Sequence, residues 1–441
     1  MSFTSFDLHP LLLSNIESLG YETPTPIQTQ ALPPVMDGRD VMGLAQTGTG
    51  KTAAFLLPIL NRLARRQPPK RRAIKALIVA PTRELAEQIN DAARDLGRRT
   101  SVRTLTVYGG VGMSPQIQGL RRGVDIVVAC PGRLLDHMRQ GHVDFSALDT
   151  LVLDEADHMF DMGFLPDIRA ILEKLPAKRQ TLLFSATMPG SIRALADDIL
   201  TDPVTVRIGT QAPAETVDHA VYPVAPSRKT GLLMELLTQA KTESVIVFTR
   251  TKHKAKGLAE MLCKTGCRAA CIQGNLSQRQ RQAALDGFKA GTYRVLVATD
   301  IAARGIDVSK VGHVINFDIP DTPDAYTHRI GRTGRAECQG QAHTLITRED
   351  MSMVRAIEHA LGKPLPRREL EGFVPTPQEY RDQPTSRPDP RYRPRNGHSP
   401  RPANGDGQRR DGGKGRYFGQ SRPAGQRPHG ARPAPRREAQ A

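Results

Sequence analysis

A chain of 441 residues exceeds one ordinary hydrophobic core and predicts two domains with material to spare. Its 62 Lys and Arg outnumber its 45 Asp and Glu by 17, which points to nucleic acid or another anionic surface as partner and says nothing of fold. Five cysteines, an odd number without CxxC spacing, fit neither a disulfide framework nor a zinc site; the triplet Cys263, Cys267 and Cys271 is expected to be free, buried thiols, with a metal cluster as the alternative.

The opening MSFTSFDLHP is neither a signal nor a transit peptide, and no run of about 18 apolar residues occurs after it. A soluble, cytoplasmic protein without membrane association is expected. The next feature, GYETPTPIQ at 20–28, is on its own residues a turn shaped by Pro24 and Pro26. Over 40–208 the runs VMGLA, ALIVA, TLTVY, DIVVA, TLVL and TLLFS alternate with segments such as RELAEQINDAARDLG, whose apolar residues recur every three or four. That alternation predicts a parallel sheet with crossover helices.

Between the first run and a helical segment lies AQTGTGKT, formed by Ala45, Gln46, Thr47, Gly48, Thr49, Gly50, Lys51 and Thr52. It fits GxxxxGK[ST] with a small Ala at the first position. Glycines let backbone amides converge on phosphates, Lys51 offers a point charge, and Thr52 can meet Mg2+. The run TLVL ends on Asp154 and Glu155, with Asp157 beyond. Parallel strands place their ligands at the carboxyl edge, and Mg2+ needs only one or two carboxylates besides phosphate oxygens. Asp154 is therefore the expected metal partner and Glu155 the group that polarises water; acids favoured by a helix N-terminus are the plainer alternative.

GTQAPAE at 209–215 resembles a linker, after which SVIVF, RAACI, RVLVAT, HVINF and AHTLIT repeat the strand and helix alternation. HRIGRTGR at 328–335 sets Arg329, Arg332 and Arg335 three apart, on roughly one face if helical. The second half has no phosphate loop, so these arginines are natural fingers for a nucleotide held by the first half, with a solvated basic patch as the alternative. From 376 to 441 the chain holds fifteen Arg or Lys against six Asp or Glu and almost nothing apolar. Such a tail is expected to be disordered and, with Tyr392, Tyr417 and Phe418 among the arginines, to bind RNA.

These motifs together resemble the DEAD-box ATP-dependent RNA helicases of superfamily 2, over roughly 3–362, and the basic tail is similar to that of RhlE-type bacterial members. The resemblance implies an α/β fold of two tandem RecA-like parallel-sheet domains plus the disordered tail: an adenine-reading region at 1–30, domains at 31–208 and 217–375, and a linker at 209–216. It implies ATP and Mg2+ as ligands, with Phe3, Tyr21 and Gln28 at the base and Gly305, Asp307, Arg332 and Arg335 completing the nucleotide site. Tyr21 stands where the family usually has Phe. Coupling is implied for Asp157, Ser185, Thr187 and His328. RNA contacts are implied for Pro81, Thr82, Arg83, Gly109, Gly110 and Arg133 in the first domain, and for Thr251, Gly274, Arg281 and Thr299 in the second. Cys130 replaces a common Thr, and Gln273 stands where many members have His. The implied activity is RNA-stimulated ATP hydrolysis coupled to local, non-processive unwinding of short duplexes, with ribosome precursors or an RNA-degradation complex as partners. An ATP-switched RNA clamp with little unwinding is the alternative.

Overall fold

The computed structural model describes residues 2–46, 48–67, 72–208, 217–240, 242, 244–303, 311–333 and 340–373. Thr47, the linker at 209–216, Gly305, Asp307, Arg335 and the tail at 376–441 lie outside the described residues. No helix among those described is long and apolar enough to cross a membrane.

The apolar runs form strands because consecutive side chains must enter opposite faces, and both faces here are covered. The first sheet comprises β1 (Val41–Leu44), β2 (Ala76–Val79), β3 (Thr104–Val107), β4 (Ile126–Ala129), β5 (Thr150–Leu153), β6 (Gln180–Ser185) and β7 (Val204–Arg207), all parallel, in the order β3-β4-β2-β5-β6-β1-β7. Ile78, Val152, Leu182 and Phe184 join one core, and Leu77, Leu151, Leu153 and Leu183 join the core on the other face. The second sheet repeats the plan with β8 (Val217–Pro223), β9 (Val245–Phe248), β10 (Ala269–Ile272), β11 (Val295–Ala298), β12 (His313–Asn316) and β13 (Gly340–Ile346), in the order β10-β11-β9-β12-β13-β8. We call the two sheets with their helices the first and second lobes.

Eleven of these strands coincide with the apolar runs; β7 and β8 do not. Both are edge strands. In β7 only Val206 is buried, and β8 interrupts its apolar residues with Asp218 and His219, so neither makes a run. Among the described residues four cysteines are free, of which Cys130 is buried, Cys263 exposed, and Cys267 and Cys271 half-buried; Cys338 lies outside the described residues. Cys263, Cys267 and Cys271 stand on or beside an outer strand, where packing is one-sided.

One local contact ties β6 to the elements on either side of the loop 45–50. The Phe184 ring on β6 lies directly against Gly43 of β1, its register partner, where any side chain would collide. The same ring meets Phe55 of the helix Lys51–Ala64 at 5.4 Å between centroids. One aromatic pair thereby joins β1 and β6 to the helix on the far side of the loop.

The second lobe contains a buried imidazole cluster. His343 Nε2 is 3.3 Å from His313 Nδ1, and its Nδ1 is 3.2 Å from the Tyr222 hydroxyl. Burial, reinforced by His313, pulls the His343 pKa from 6.5 down to about 4. The unfolded chain therefore binds this proton more readily than the fold does. Stability is complete above pH 6.5 and is lost as the pH falls toward about 4, by on the order of 3 kcal/mol for this group. Denaturant midpoints should drop over that range in the wild type and drop less in His343→Phe; parallel pH profiles would contradict the assignment.

Candidate functional site

The strand order gathers the sequence motifs into two groups. The loop 45–52 leaves β1, Asp154 and Glu155 leave β5, and Ser185 to Thr187 leave β6; these strands are neighbours, β5-β6-β1. Pro81, Thr82 and Arg83 follow β2, Gly109 and Gly110 follow β3, and Arg133 follows β4, which are also neighbours, β3-β4-β2. In the second lobe Thr251, Gly274 and Thr299 follow β9, β10 and β11, again contiguous. Motifs far apart in sequence thus share one carboxyl edge.

The loop after β1 begins with Ala45 N donating to Ser185 O at 3.0 Å, and Thr49 Oγ1 closes it on Gln46 O at 2.7 Å. Gly48 and Gly50 adopt φ of 85° and 94°, a region glycine enters without steric penalty. Gln28 Nε2 donates to Gly50 O at 3.1 Å while its Oε1 accepts from Thr25 N at 2.9 Å, so both ends of this amide are engaged within the chain. A Cβ at Gly50 would lie 2.5 Å from Gln28 Nε2. Phe3 is buried in the core with Phe6 and Leu8, and Tyr21 is exposed. Lys51 is buried, and its Nζ has no hydrogen-bond partner among the described residues. A buried ammonium left unsatisfied costs several kcal/mol, and an anion offsets that cost. Thr52, half-buried, comes next in the first helical turn.

Beside this loop, Asp154 Oδ1 accepts from Glu155 N at 2.9 Å. Glu155 takes a left-handed backbone, φ 51° and ψ 52°, as N-cap of the helix Ala156–Asp161. Both carboxyls are buried. Burial pushes Asp154 up to about 6, against the opposing pull of Lys51. For Glu155 burial acts in the same sense but is outweighed by His158, Lys51 and Arg332, which hold its carboxyl well below the usual range. The pair is therefore split: one carboxyl is short of a cation, and the other is firmly ionised.

Asp157, Ser185 and Thr187 are brought into one network. Asp157 Oδ2 accepts from Ala186 N at 3.1 Å, Thr187 N at 2.9 Å and Thr187 Oγ1 at 3.2 Å. Ser185 Oγ accepts from Asp157 N at 3.3 Å and donates to Thr187 O at 2.7 Å. A cavity of about 290 Å³ opens beside them, lined among others by Asp157, Thr187, Asp324 and His328.

Arg329 and Arg332 do not share a helix face. The helix Pro323–Ile330 stops at Gly331, so Arg332 lies beyond its end. Arg329 is consumed within its own lobe: it grips Asp300 at 2.5 and 2.6 Å and donates to Asn316 Oδ1 and Asp318 O. Arg332 is buried and close enough to depress the Glu155 pKa across the lobes. His328 Nδ1 stands 3.1 Å from His158 Nε2, a contact that sequence reasoning missed because His158 follows the acidic motif as one more helical residue.

Among the proposed RNA contacts, the Arg83 guanidinium packs directly over Gly110, where a side chain would displace it. Thr82 caps its helix by accepting from Leu85 N, and Pro81 beside it is buried. Cys130 occupies the corresponding cap before Arg133 without a side-chain bond. Arg133 donates to Val111 O at 3.1 Å. Thr251 caps the helix Lys252–Lys264, Gly274 is exposed, and Thr299 is buried. Gln273 turns inward to accept from Asn275 N at 2.7 Å. Arg281, for which an RNA contact is expected, donates to Glu84 Oε1 of the first lobe at 3.0 Å, with Gln278 joining at 3.2 Å. The lobes therefore touch at both groups of motifs.

Two family models match this chain: DEAD/DEAH box helicase over residues 25–195, and helicase conserved C-terminal domain over 228–337. The chain is 42% identical over 368 residues to the DEAD-box ATP-dependent RNA helicase CshA of Bacillus subtilis (strain 168), covering 83% of this chain and 74% of that protein. It is 42% identical over 367 residues to CshA of Geobacillus kaustophilus (strain HTA426), covering 83% and 78% respectively. The RhlE-type placement expected from the tail finds no support in these relatives, which are CshA enzymes. Among solved structures, S. cerevisiae Dbp5 bound to RNA and ADP BeF3 superposes with a TM-score of 0.74 at 30% identity, covering 83% of this chain and 95% of that one. A motif set on two parallel sheets, two family models in order along them, and relatives alike over most of their length agree: the chain belongs to the DEAD/DEAH box helicase family.

Proposed function

We propose that the protein is an RNA-dependent ATPase that couples hydrolysis to local unwinding of short RNA duplexes. The observation that carries this reading is the buried Lys51 ammonium, without a hydrogen-bond partner among the described residues, at the end of a loop with left-handed glycines and beside Asp154 and Glu155. Nucleotide phosphates are the anions such a loop accommodates. A carboxyl raised by burial gains from a cation, so Asp154 and Thr52 fit a Mg2+ held through ATP; the ion would offset charge on the phosphate oxygens. Glu155, ionised, polarises the attacking water, and Arg332 supplies positive charge from the second lobe.

RNA is proposed to lie along the other group of strand ends in both lobes, touched chiefly at phosphate and sugar, so that sequence preference is weak. CshA and Dbp5, by their names and bound ligands, are an RNA helicase and an RNA-bound relative, which supports the same substrate class here. Gripping one strand while bending it destabilises a few base pairs at about 1.4 kcal/mol per stacked step, a value for DNA, without processive travel. Ribosome precursors or an RNA-degradation complex in the cytoplasm are the settings this activity suits. Strand displacement and phosphate release, each followed with and without RNA, test the reading: hydrolysis indifferent to RNA would overturn it, and RNA-stimulated hydrolysis without displacement would favour the clamp.

The basic tail is proposed to act as a tethered second RNA site. Deleting residues 376–441 should weaken RNA affinity and flatten its dependence on salt, by roughly 0.7 in log–log slope for each phosphate that the tail neutralises, while RNA-saturated ATP turnover changes little. An unaltered salt slope in binding titrations would remove the tail from the interface.

A further inference from the structure

We propose that His158 is a positioning residue for hydrolysis, a single imidazole through which the junction of the two lobes sets the orientation of the Glu155 carboxylate. The inference rests on the water-polarising role proposed for Glu155. His158 is buried on the helix Ala156–Asp161, immediately after the acidic motif. Its Nδ1 is 2.9 Å from Glu155 Oε2, and its Nε2 is 3.1 Å from Nδ1 of His328, on the helix Pro323–Ile330 of the second lobe. The two rings meet nearly edge-on, 84° apart with centroids at 4.8 Å.

The proton positions are set by what each group can do. An ionised carboxylate only accepts, so Nδ1 of His158 carries the proton it shares with Glu155. In a neutral imidazole the other nitrogen is then a bare acceptor. With His158 neutral, as proposed, His328 carries its own proton on Nδ1 and donates it to His158 Nε2; a doubly protonated His158 would reverse that bond. Burial keeps His328 neutral, so this ring has one proton to place, on Nδ1 or on Nε2. One carboxylate thus fixes the tautomers of two rings that lie in different lobes.

The mechanical consequence is directional. Glu155 leaves a left-handed turn, φ 51°, and the bond to His158 steers its carboxylate. When the lobes part, His158 loses the donor at Nε2 and the ring loses one of the two bonds that orient it. Misplacement of a reacting group by about 1 Å is worth about 100-fold in rate, so a loosened imidazole suffices to idle the carboxylate without altering how ATP or RNA binds.

Full-length protein with 15N-labelled histidine, bound to oligouridine and ADP–beryllium fluoride, provides a test that needs no turnover. Two imidazoles should carry their proton on Nδ1, the less common tautomer of a neutral ring, and these signals should vanish in His158→Asn and His328→Asn respectively. A proton on Nε2 of either ring, or on both nitrogens of His158, overturns the proposal. In kinetics, His158→Ala should lower RNA-saturated kcat about 10- to 100-fold with half-saturation by ATP and RNA shifted less than about threefold. His158→Asn, which keeps a donor on the Nδ1 side, should recover part of that loss. The double variant His158→Ala/His328→Ala should be no slower than His158→Ala, whereas losses that multiply would show that the two rings act separately. If the wild type failed to hydrolyse ATP in response to RNA, the proposed function would fall, while the spectra would still decide where the protons sit.

Discussion

Replacing Arg332 by alanine is expected to lower RNA-stimulated ATP turnover by about 10³- to 10⁵-fold, the range over which arginine fingers act in phosphoryl transfer. The guanidinium is buried beyond the end of the helix Pro323–Ile330 and near enough to Glu155 to stabilise its ionised form. Around the glycine loop of the first lobe, Lys51 stands beside two buried carboxyls, Asp154 and Glu155. On the proposed reading Arg332 adds positive charge from across the junction, which is why turnover should depend on what brings the lobes together. Arg332→Lys keeps the charge but loses the planar fork, and it should recover only part of the rate. Phosphate release at saturating RNA, with binding of an ATP analogue as control, checks this; turnover within a few-fold of wild type would eliminate the finger.

Substituting Glu155 by glutamine is expected to cost about 10²- to 10⁴-fold in hydrolysis, the usual contribution of a positioned general base, while ATP-analogue and RNA binding persist. Glutamine matches the side chain in length and can still bond to His158, so the change is confined to the proton-accepting ability of the carboxylate. Low Glu155 pKa also implies that the wild-type rate should not decline in mildly acidic buffer through protonation of this group. Single-turnover measurements with the variant, loaded with ATP and RNA, give the answer directly; hydrolysis at the wild-type rate would assign water activation elsewhere.

Much of this architecture is legible in the sequence because buried parallel strands must be apolar throughout. VLVA, IVVA and TLVL announce themselves, and the residues just after each run stand at the ligand-bearing edge. The glycine loop and the adjacent acids are readable for the same reason. The features that escape such a reading do so for physical reasons. β7 and β8 are edges with one mixed face, so no apolar run marks them. Arginine spacing suggests one helix face, but Gly331 ends the helix and Asp300 captures Arg329, neither of which is visible without the fold. Glu84 with Arg281, and His158 with His328, are residues distant in the chain that come together only through the meeting of two lobes. Local pattern carries no record of such encounters.

The left-handed turn at Glu155 bears on how this chain can change over time. A non-glycine residue in that conformation stores about 1 to 3 kcal/mol, which glycine would release. On the role proposed for Glu155, the substitution that most relaxes the backbone there also removes the water-polarising carboxylate. Thermal robustness and turnover therefore pull in opposite directions at one position, and any lineage drifting toward a sturdier fold meets its functional limit there.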